Sequence, residues 1–168
     1  DNDRYRIATY QNLLVDLCER NDTPLRAIEL APTPKVMTIT GNRLIENFDW
    51  ERCRKLTQLK PPKLRSAISL FRHQVAWAQA DYATVVKLAP ATIAAIKLDA
   101  SSNKREQIVR AALRIGDVKS AVEYSKDFEQ PNLQVLVAIH GQNWNDAIAA
   151  LEMLPDYRRS EFRFDDDL

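Results

Sequence analysis

The chain has 168 residues, enough for about one domain with a hydrophobic core of its own. Its 24 Lys and Arg residues nearly cancel its 23 Asp and Glu residues, which excludes a global electric field that would draw it to nucleic acid or an anionic membrane. Three glycines are too few for barrels, sandwiches or glycine-rich phosphate loops, so the composition predicts an all-α protein.

Apolar residues recur with the period of an α-helix in several long segments of the chain. They predict first helices of helical hairpins at residues 5–20, 64–79, 104–115 and 133–140. The stretch 35–40, Lys-Val-Met-Thr-Ile-Thr, is β-prone at a point where the first helix of another hairpin is expected. The second hairpin is therefore expected to be the least regular one.

A five-residue pattern recurs where each second helix is expected to begin. It consists of Asp or Asn, a large apolar residue, two mostly polar residues and a small or β-branched one, at 49–53, 81–85, 117–121 and 143–147, with a weaker copy at 23–27. An Asp, Asn or Thr side chain there can accept a hydrogen bond from a free helix N–H group, so each copy predicts a helix start. The small residues should pack between the paired helices: Ala27, Cys53, Val85, Ala121 and Ala147.

Prolines are expected to end the second helices, because proline cannot continue an α-helix without losing a backbone hydrogen bond. These stops are Pro32, Pro61 with Pro62, Pro90, Pro131 and Pro155. The predicted hairpins are residues 5–32, 35–61, 64–90, 104–131 and 132–155, in one domain over 1–157 followed by a polar, acidic tail at 158–168. Trp50 and Trp144, which follow the capping residues, are expected to pack between helices.

The stretch 114–124, Arg-Ile-Gly-Asp-Val-Lys-Ser-Ala-Val-Glu-Tyr, resembles the tetratricopeptide repeat. In that family the second helix begins at a Gly-Asp-Tyr-like turn and carries a small residue where the two helices touch. Residues 140–150 and 79–88 follow the same pattern, with another residue in place of the glycine that precedes Asp117. The resemblance implies a right-handed α-α superhelix of about five hairpins. A compact helical bundle is the alternative, since bundles also carry caps, prolines and apolar periods.

No pattern in the sequence predicts catalysis, a cofactor or a metal site. His73 and His140 have no metal-ligating residue at helical spacing, and the carboxylates of 165–167 are expected to be solvated. Cys18 and Cys53 are expected to be buried free thiols of a cytoplasmic protein. No run of 18 apolar residues exists, so no membrane span is expected. The sequence therefore favours a non-enzymatic protein.

The resemblance implies that the first helices line a concave face on which a partner protein or peptide binds. Carried onto this chain, the family's groove positions select nine residues: Asn12, Asp16, Asn42, Gln74, Trp77, Glu106, Arg110, Asn132 and Leu136.

Two other functions remain open. One is a regulatory or oligomerisation domain of a larger signalling or transcription-regulatory protein, in which the aromatic residues of 155–164 could contact another subunit. The other is an RNA-binding helical repeat, suggested by seven basic residues between Arg52 and Arg72. The near-zero net charge and the irregular repeat length argue against nucleic acid as a partner.

Overall fold

The computed structural model describes residues 2–96, 103–126 and 130–155, with side chains from Arg6 onward. The predicted tail at 158–168 and the predicted domain end at 157 lie outside these residues. Within them the chain forms α-helices and one 3-10 turn at Pro62–Leu64, and no strand. The helices are α1 Asn2–Arg20, α2 Arg26–Leu30, α3 Pro34–Glu46, α4 Trp50–Gln58, α5 Arg65–Ala78, α6 Tyr82–Ile96, α7 Asn103–Arg114, α8 Val118–Ser125, α9 Pro131–His140 and α10 Trp144–Glu152. The all-α prediction is confirmed.

The same turn joins the two helices of every hairpin in the described chain. At the end of α5, Ala80 donates its N–H to Trp77 O at 3.0 Å, and Asp81 donates its N–H to Ala76 O at 2.9 Å. This pair of bonds is the Schellman closure, which requires a residue with positive φ. Each hairpin has one such residue. In chain order they are Asp22 (φ 56°), Phe48 (55°), Ala80 (53°), Gly116 (74°) and Gln142 (56°). Five hairpins therefore share one turn geometry, although only one of them has glycine at the left-handed position.

Four of the five predicted capping residues cap their helices. The N–H group three residues further on donates to the side chain of Asp49 at 3.0 Å, Asp81 at 3.1 Å, Asp117 at 3.0 Å and Asn143 at 3.4 Å. The prediction for Thr23 is wrong. Its hydroxyl donates to Cys18 O at 3.3 Å, and α2 begins only at Arg26 without a side-chain cap. The hydroxyl is thus used to close the turn after α1.

The β-prone stretch 35–40 is helical, contrary to the irregular second hairpin that the sequence suggested. It lies inside α3, where Thr33 caps the helix by accepting from Val36 N at 3.2 Å and Pro34 occupies the first turn. Val36 and Met37 are buried in the core. Burial of Val36 in the core outweighs its intrinsic preference for strands, and Met37 is itself a good helix former.

Two prolines do not act as the sequence suggested. Pro90 lies inside α6, which continues to Ile96. A proline in a helix removes one hydrogen bond, and here the residues after it, Thr92, Ala95 and Ile96, are buried and hold the last turn in place. Pro131 begins α9 at a position where its missing N–H has no helical partner to lose. The predicted stop at Pro90 is therefore wrong, and Pro131 starts a helix.

Contacts divide the chain into two compact units, residues 1–84 with 88–100 and residues 85–87 with 101–168. In the first unit α3 packs against α1 and α5, and α4 packs against α3 and α5. Its core includes the side chains of Val15, Met37, Leu56, Leu64 and Phe71. One domain over 1–157, and a superhelix in preference to a bundle, stay predictions.

In the second unit each helix packs against the next one in the chain, and α7 also contacts α9. Its main core cluster joins three consecutive helices and consists of Val109, Ala112, Leu113, Ala121, Leu133 and Val137. No helix of the described residues is long and apolar enough to cross a membrane.

Burial follows the hairpin repeat. The residue four positions after the cap is buried in every hairpin, as predicted for Ala27, Cys53, Val85, Ala121 and Ala147. The residues eight and five positions before the cap, counted from Thr23 in the first hairpin, are buried as well. They are Val15, Gly41, His73, Val109 and Val135, and Cys18, Leu44, Ala76, Ala112 and Ala138. Each first helix thus turns the same positions toward the core.

Candidate functional site

The nine residues predicted to bind a partner all lie outside the fully buried core. Five are on α1, α3 and α5 in the first unit, and four are on α7 and α9 in the second. Counted from the four caps and, in the first hairpin, from Thr23, five of them occupy one recurring position, seven residues earlier: Asp16, Asn42, Gln74, Arg110 and Leu136. We call this set the first-helix row. Every member is exposed or half-buried, whereas the residue directly before it is buried in every hairpin.

Ion pairs join α1 and α3, the helices that carry the first two members of the row. Arg43, next to Asn42 on α3, donates to Asp16 Oδ1 at 2.5 Å and to Glu19 Oε2 at 2.7 Å. The hydrogen bond that Arg43 donates to Asp16 raises the pKa of Arg43. Asp16 therefore holds α1 against α3 while its side chain stays partly exposed. Arg43 was not among the residues predicted from the sequence, although two acidic residues three positions apart on an earlier helix form a pattern that such a cation can bridge.

Trp77 and Tyr82 form an aromatic pair across the turn between α5 and α6. Their ring centroids are 5.7 Å apart with an interplanar angle of 65°, an edge-to-face contact. Both rings are half-buried. Trp77 therefore stabilises its own hairpin and leaves part of its ring open to solvent.

On the second unit, Glu106 and Arg110 pair along α7, with 2.8 Å between Glu106 Oε1 and Arg110 Nε. Asn132 has a buried side-chain oxygen without a hydrogen-bond partner in the part of the chain that the structure describes. Leu136 is half-buried and packs against the core cluster around Ala121. Of these four residues, Arg110 has the most accessible side chain, and Asn132 has an acceptor that a donor could still satisfy.

Part of the basic stretch between Arg52 and Arg72 is occupied by contacts within the chain. Arg52 bonds to Asp49 at 2.9 Å and to Asp22 at 2.8 Å. Lys55 bonds to Glu51 at 2.7 Å, and Arg72 donates to Thr57 O at 2.5 and 3.0 Å. Arg52 and Arg72 join different segments of the fold and Lys55 pairs within α4, so these cations are less available to phosphate groups than the sequence alone suggests.

The two tryptophans that follow caps differ in environment. Trp50 packs against the core of the first unit, as predicted. Trp144 is 57% exposed, so the prediction that it packs between helices is wrong. Trp144 lies on α10, the last helix of the described chain. The buried contacts with Val135 of α9 come instead from Ala150 of α10 and from Leu154, which follows that helix.

The two thiols are buried and unpaired, as predicted. Burial raises the pKa of Cys53 to about 11, so its thiol is neutral at physiological pH. Among the described residues, no three His, Cys, Asp or Glu side chains are placed to hold a metal ion.

No protein-family model matches the chain, and no curated protein and no solved structure matches it significantly.

Proposed function

We propose that the chain is a non-enzymatic protein-interaction module that binds a peptide or helix of a partner protein along the first-helix row. The observation that carries the proposal is the repeated register. Seven residues before each cap, or before Thr23 in the first hairpin, every hairpin presents an exposed or half-buried side chain directly beside a buried position. Within each unit, such a row repeats at the spacing of the hairpins and suits an extended ligand.

Further features support a superhelix of tetratricopeptide-like hairpins over a bundle. The turn geometry recurs in all five hairpins, and within the first unit α3 contacts both α1 and α5. Two buried thiols without a disulfide support placing the protein in a reducing compartment such as the cytoplasm.

A peptide-library selection on the immobilised chain tests this function. Binding peptides are selected on the natural sequence and then measured against a variant with Asn42→Ala, Gln74→Ala and Arg110→Ala. The matched control carries Arg54→Ala, Lys87→Ala and Glu123→Ala, which remove three exposed side chains from second helices. We expect the first variant to lose about tenfold or more in affinity, since removing interface side chains costs about 1 kcal/mol or more at a few positions. Equal binding by the two variants would remove the first-helix row as the site.

A second candidate function, self-association of a regulatory domain, is favoured by the outer side of α1. Four large apolar residues, Ile7, Tyr10, Leu13 and Leu17, are 50–70% exposed there at helical spacing. Exposed apolar stripes of this kind mark contact surfaces. Sedimentation at several concentrations should show a dimer that Leu13→Glu abolishes. Leu30→Glu, at a similarly exposed leucine on α2, should leave the dimer intact. A monomer at every concentration would exclude this function.

A further inference from the structure

A pocket of about 350 Å³ opens in the first unit between α1, α3 and the start of α4. Its volume falls within the range of small-ligand sites. Three buried apolar residues, Val15, Pro24 and Leu44, are among its lining residues. None of its lining residues belongs to the first-helix row or to the nine residues predicted from the sequence.

Thr40 lines this pocket with a hydroxyl that finds no hydrogen-bond partner among the described residues. The residue is 1% exposed, and its Oγ1 is buried. The neighbouring Thr38 on the same helix satisfies its own hydroxyl by donating to Pro34 O at 2.9 Å. Buried hydroxyls in proteins are almost always hydrogen-bonded. A polar atom of a ligand in the pocket would supply the bond that Thr40 lacks.

The charged residues around the pocket carry a net negative charge. Two arginines, Arg43 and Arg52, are each bridged to two carboxylates, those of Asp16 and Glu19 and those of Asp22 and Asp49, respectively. Of these groups, the carboxylates of Glu19, Asp22 and Asp49 line the pocket together with both guanidinium groups, which leaves the lining a charge of −1. This field favours a cation and repels carboxylates and phosphates.

The chemistry of the lining selects among cations. A primary ammonium group has three donors and no acceptor, and it needs hydrogen-bond acceptors around it. The hydroxyl of Thr40 can accept one bond, and the carboxylates of Glu19 and Asp22 line the same pocket. Val15, Pro24 and Leu44 offer an apolar wall for a methylene chain, the arrangement in which lysine side chains bury their stems.

We propose that this pocket binds a primary ammonium group on a short aliphatic chain, with the Thr40 hydroxyl as one of its acceptors. The source is a free alkylamine or a lysine side chain of a peptide, and both present the same chemistry. The site does not depend on the function proposed for the first-helix row.

Titration of the full chain, followed by amide chemical shifts, tests the proposal with three probes. They are n-butylammonium, the peptide acetyl-Gly-Lys-Gly-amide, and the same peptide with norleucine in place of lysine. We expect shifts around residues 15, 40 and 44 with at least one ammonium probe and none with norleucine, which has the aliphatic chain without the charge. Binding of butylammonium identifies a free amine as sufficient, whereas binding of the lysine peptide alone identifies a peptide ligand. Equal shifts with norleucine, or no shifts with either ammonium probe at millimolar concentration, would overturn the proposal.

Two variants of Thr40 test the role of the hydroxyl. Thr40→Val removes the hydroxyl and keeps the shape, so it should weaken ammonium binding about tenfold while the melting temperature stays equal or rises, because the unsatisfied group is gone. Thr40→Ser keeps the hydroxyl and should retain binding. Unchanged affinity in a folded Thr40→Val protein would exclude Thr40 as a ligand.

Discussion

Gly41 on α3 lies against the ring of Phe71 on α5, so closely that a Cβ at position 41 would stand 2.6 Å from Phe71 Cε2. Phe71 is 3% exposed and has little space to move aside. Glycine in a helix interior is unfavourable by about 1 kcal/mol relative to alanine. The close approach of the two helices explains why glycine occupies this position.

Gly41→Ala should therefore destabilise the protein, although alanine is the better helix former. We expect a loss of about 1–3 kcal/mol in the free energy of unfolding, the usual effect of overpacking a core. Urea denaturation of the variant measures it. In the background of Phe71→Leu, which replaces the ring with a smaller side chain, Gly41→Ala should cost less, and a double-mutant cycle gives the difference. An identical cost in both backgrounds would show that the Phe71 ring is not the obstacle.

The left-handed residues of the turns lead to a second prediction. Ala80 adopts φ 53° and is exposed, whereas Gly116 takes the equivalent position at φ 74°. A Cβ is strained in this region and glycine is not, so Ala80→Gly should stabilise the protein by about 0.5–1 kcal/mol. Gly116→Ala should destabilise it by about the same amount, and since a Cβ there meets no atom within 4 Å, only the backbone strain contributes. Thermal unfolding of both variants checks the opposite signs, and a stabilised Gly116→Ala protein would contradict the shared turn geometry.

The caps lead to a prediction of acid sensitivity. The hydrogen bonds from Thr84 lower the pKa of Asp81, and those from Ser120 lower the pKa of Asp117. A lowered pKa in the folded state means that stability is complete above the unfolded-state pKa and is lost as the pH falls through the folded-state value. Asp81→Asn with Asp117→Asn keeps both caps without the charge, so this variant should lose less stability than the natural protein between about pH 5 and pH 2.

Urea denaturation at a series of pH values measures this difference. Glu46→Gln serves as the control, since it removes an exposed carboxylate from the last turn of α3 that caps no helix. The Glu46→Gln variant should lose as much stability at acid pH as the natural protein, whereas the double variant should lose less. Equal acid sensitivity of the natural protein and the double variant would show that the capping carboxylates do not cause it.

Local sequence rules predicted much of this fold. Asp49, Asp81, Asp117 and Asn143 each begin a helix because the cap is a bond within four residues, which a short pattern can encode. The ends of α1 at Arg20 and of α9 at His140 also agree with the apolar periodicity.

The errors arise where distant contacts decide the local structure. Pro90 continues a helix because residues after it are buried, and residues 35–40 form a helix because their apolar side chains enter the core. The residues with positive φ at Phe48 and Gln142 are not glycines, so their residue types do not indicate a left-handed conformation. The Thr40 pocket likewise could not be predicted, because its lining comes from α1, α3 and α4 and exists only once these helices pack.

Cys53 should resist thiol reagents in the folded protein. Its side chain is fully buried, and burial raises the pKa of its thiol to about 11. In a Cys18→Ala background, which leaves Cys53 as the only thiol, a disulfide reagent at about pH 8 should react slowly until denaturant is added. The raised pKa also means that the unfolded chain ionises first, so stability should decline as the pH rises above about 8.5. Rapid labelling of the folded protein would contradict the buried position.

Ala121 offers a test of the residue and the architecture together. It is fully buried, and its cluster in the second unit joins Val109 and Ala112 of α7 with Leu133 and Val137 of α9. Ala121→Phe should cost about 1–3 kcal/mol through overpacking. In a stack of hairpins stability is a sum of local terms, so hydrogen exchange should rise in α7, α8 and α9 while α1, α3 and α5 keep most of their protection. Exposed Glu123→Ala on the same helix is the control and should change neither region. Uniform loss of protection across both units would indicate one cooperative bundle, and no loss at all would show that Ala121 is not an interhelix contact.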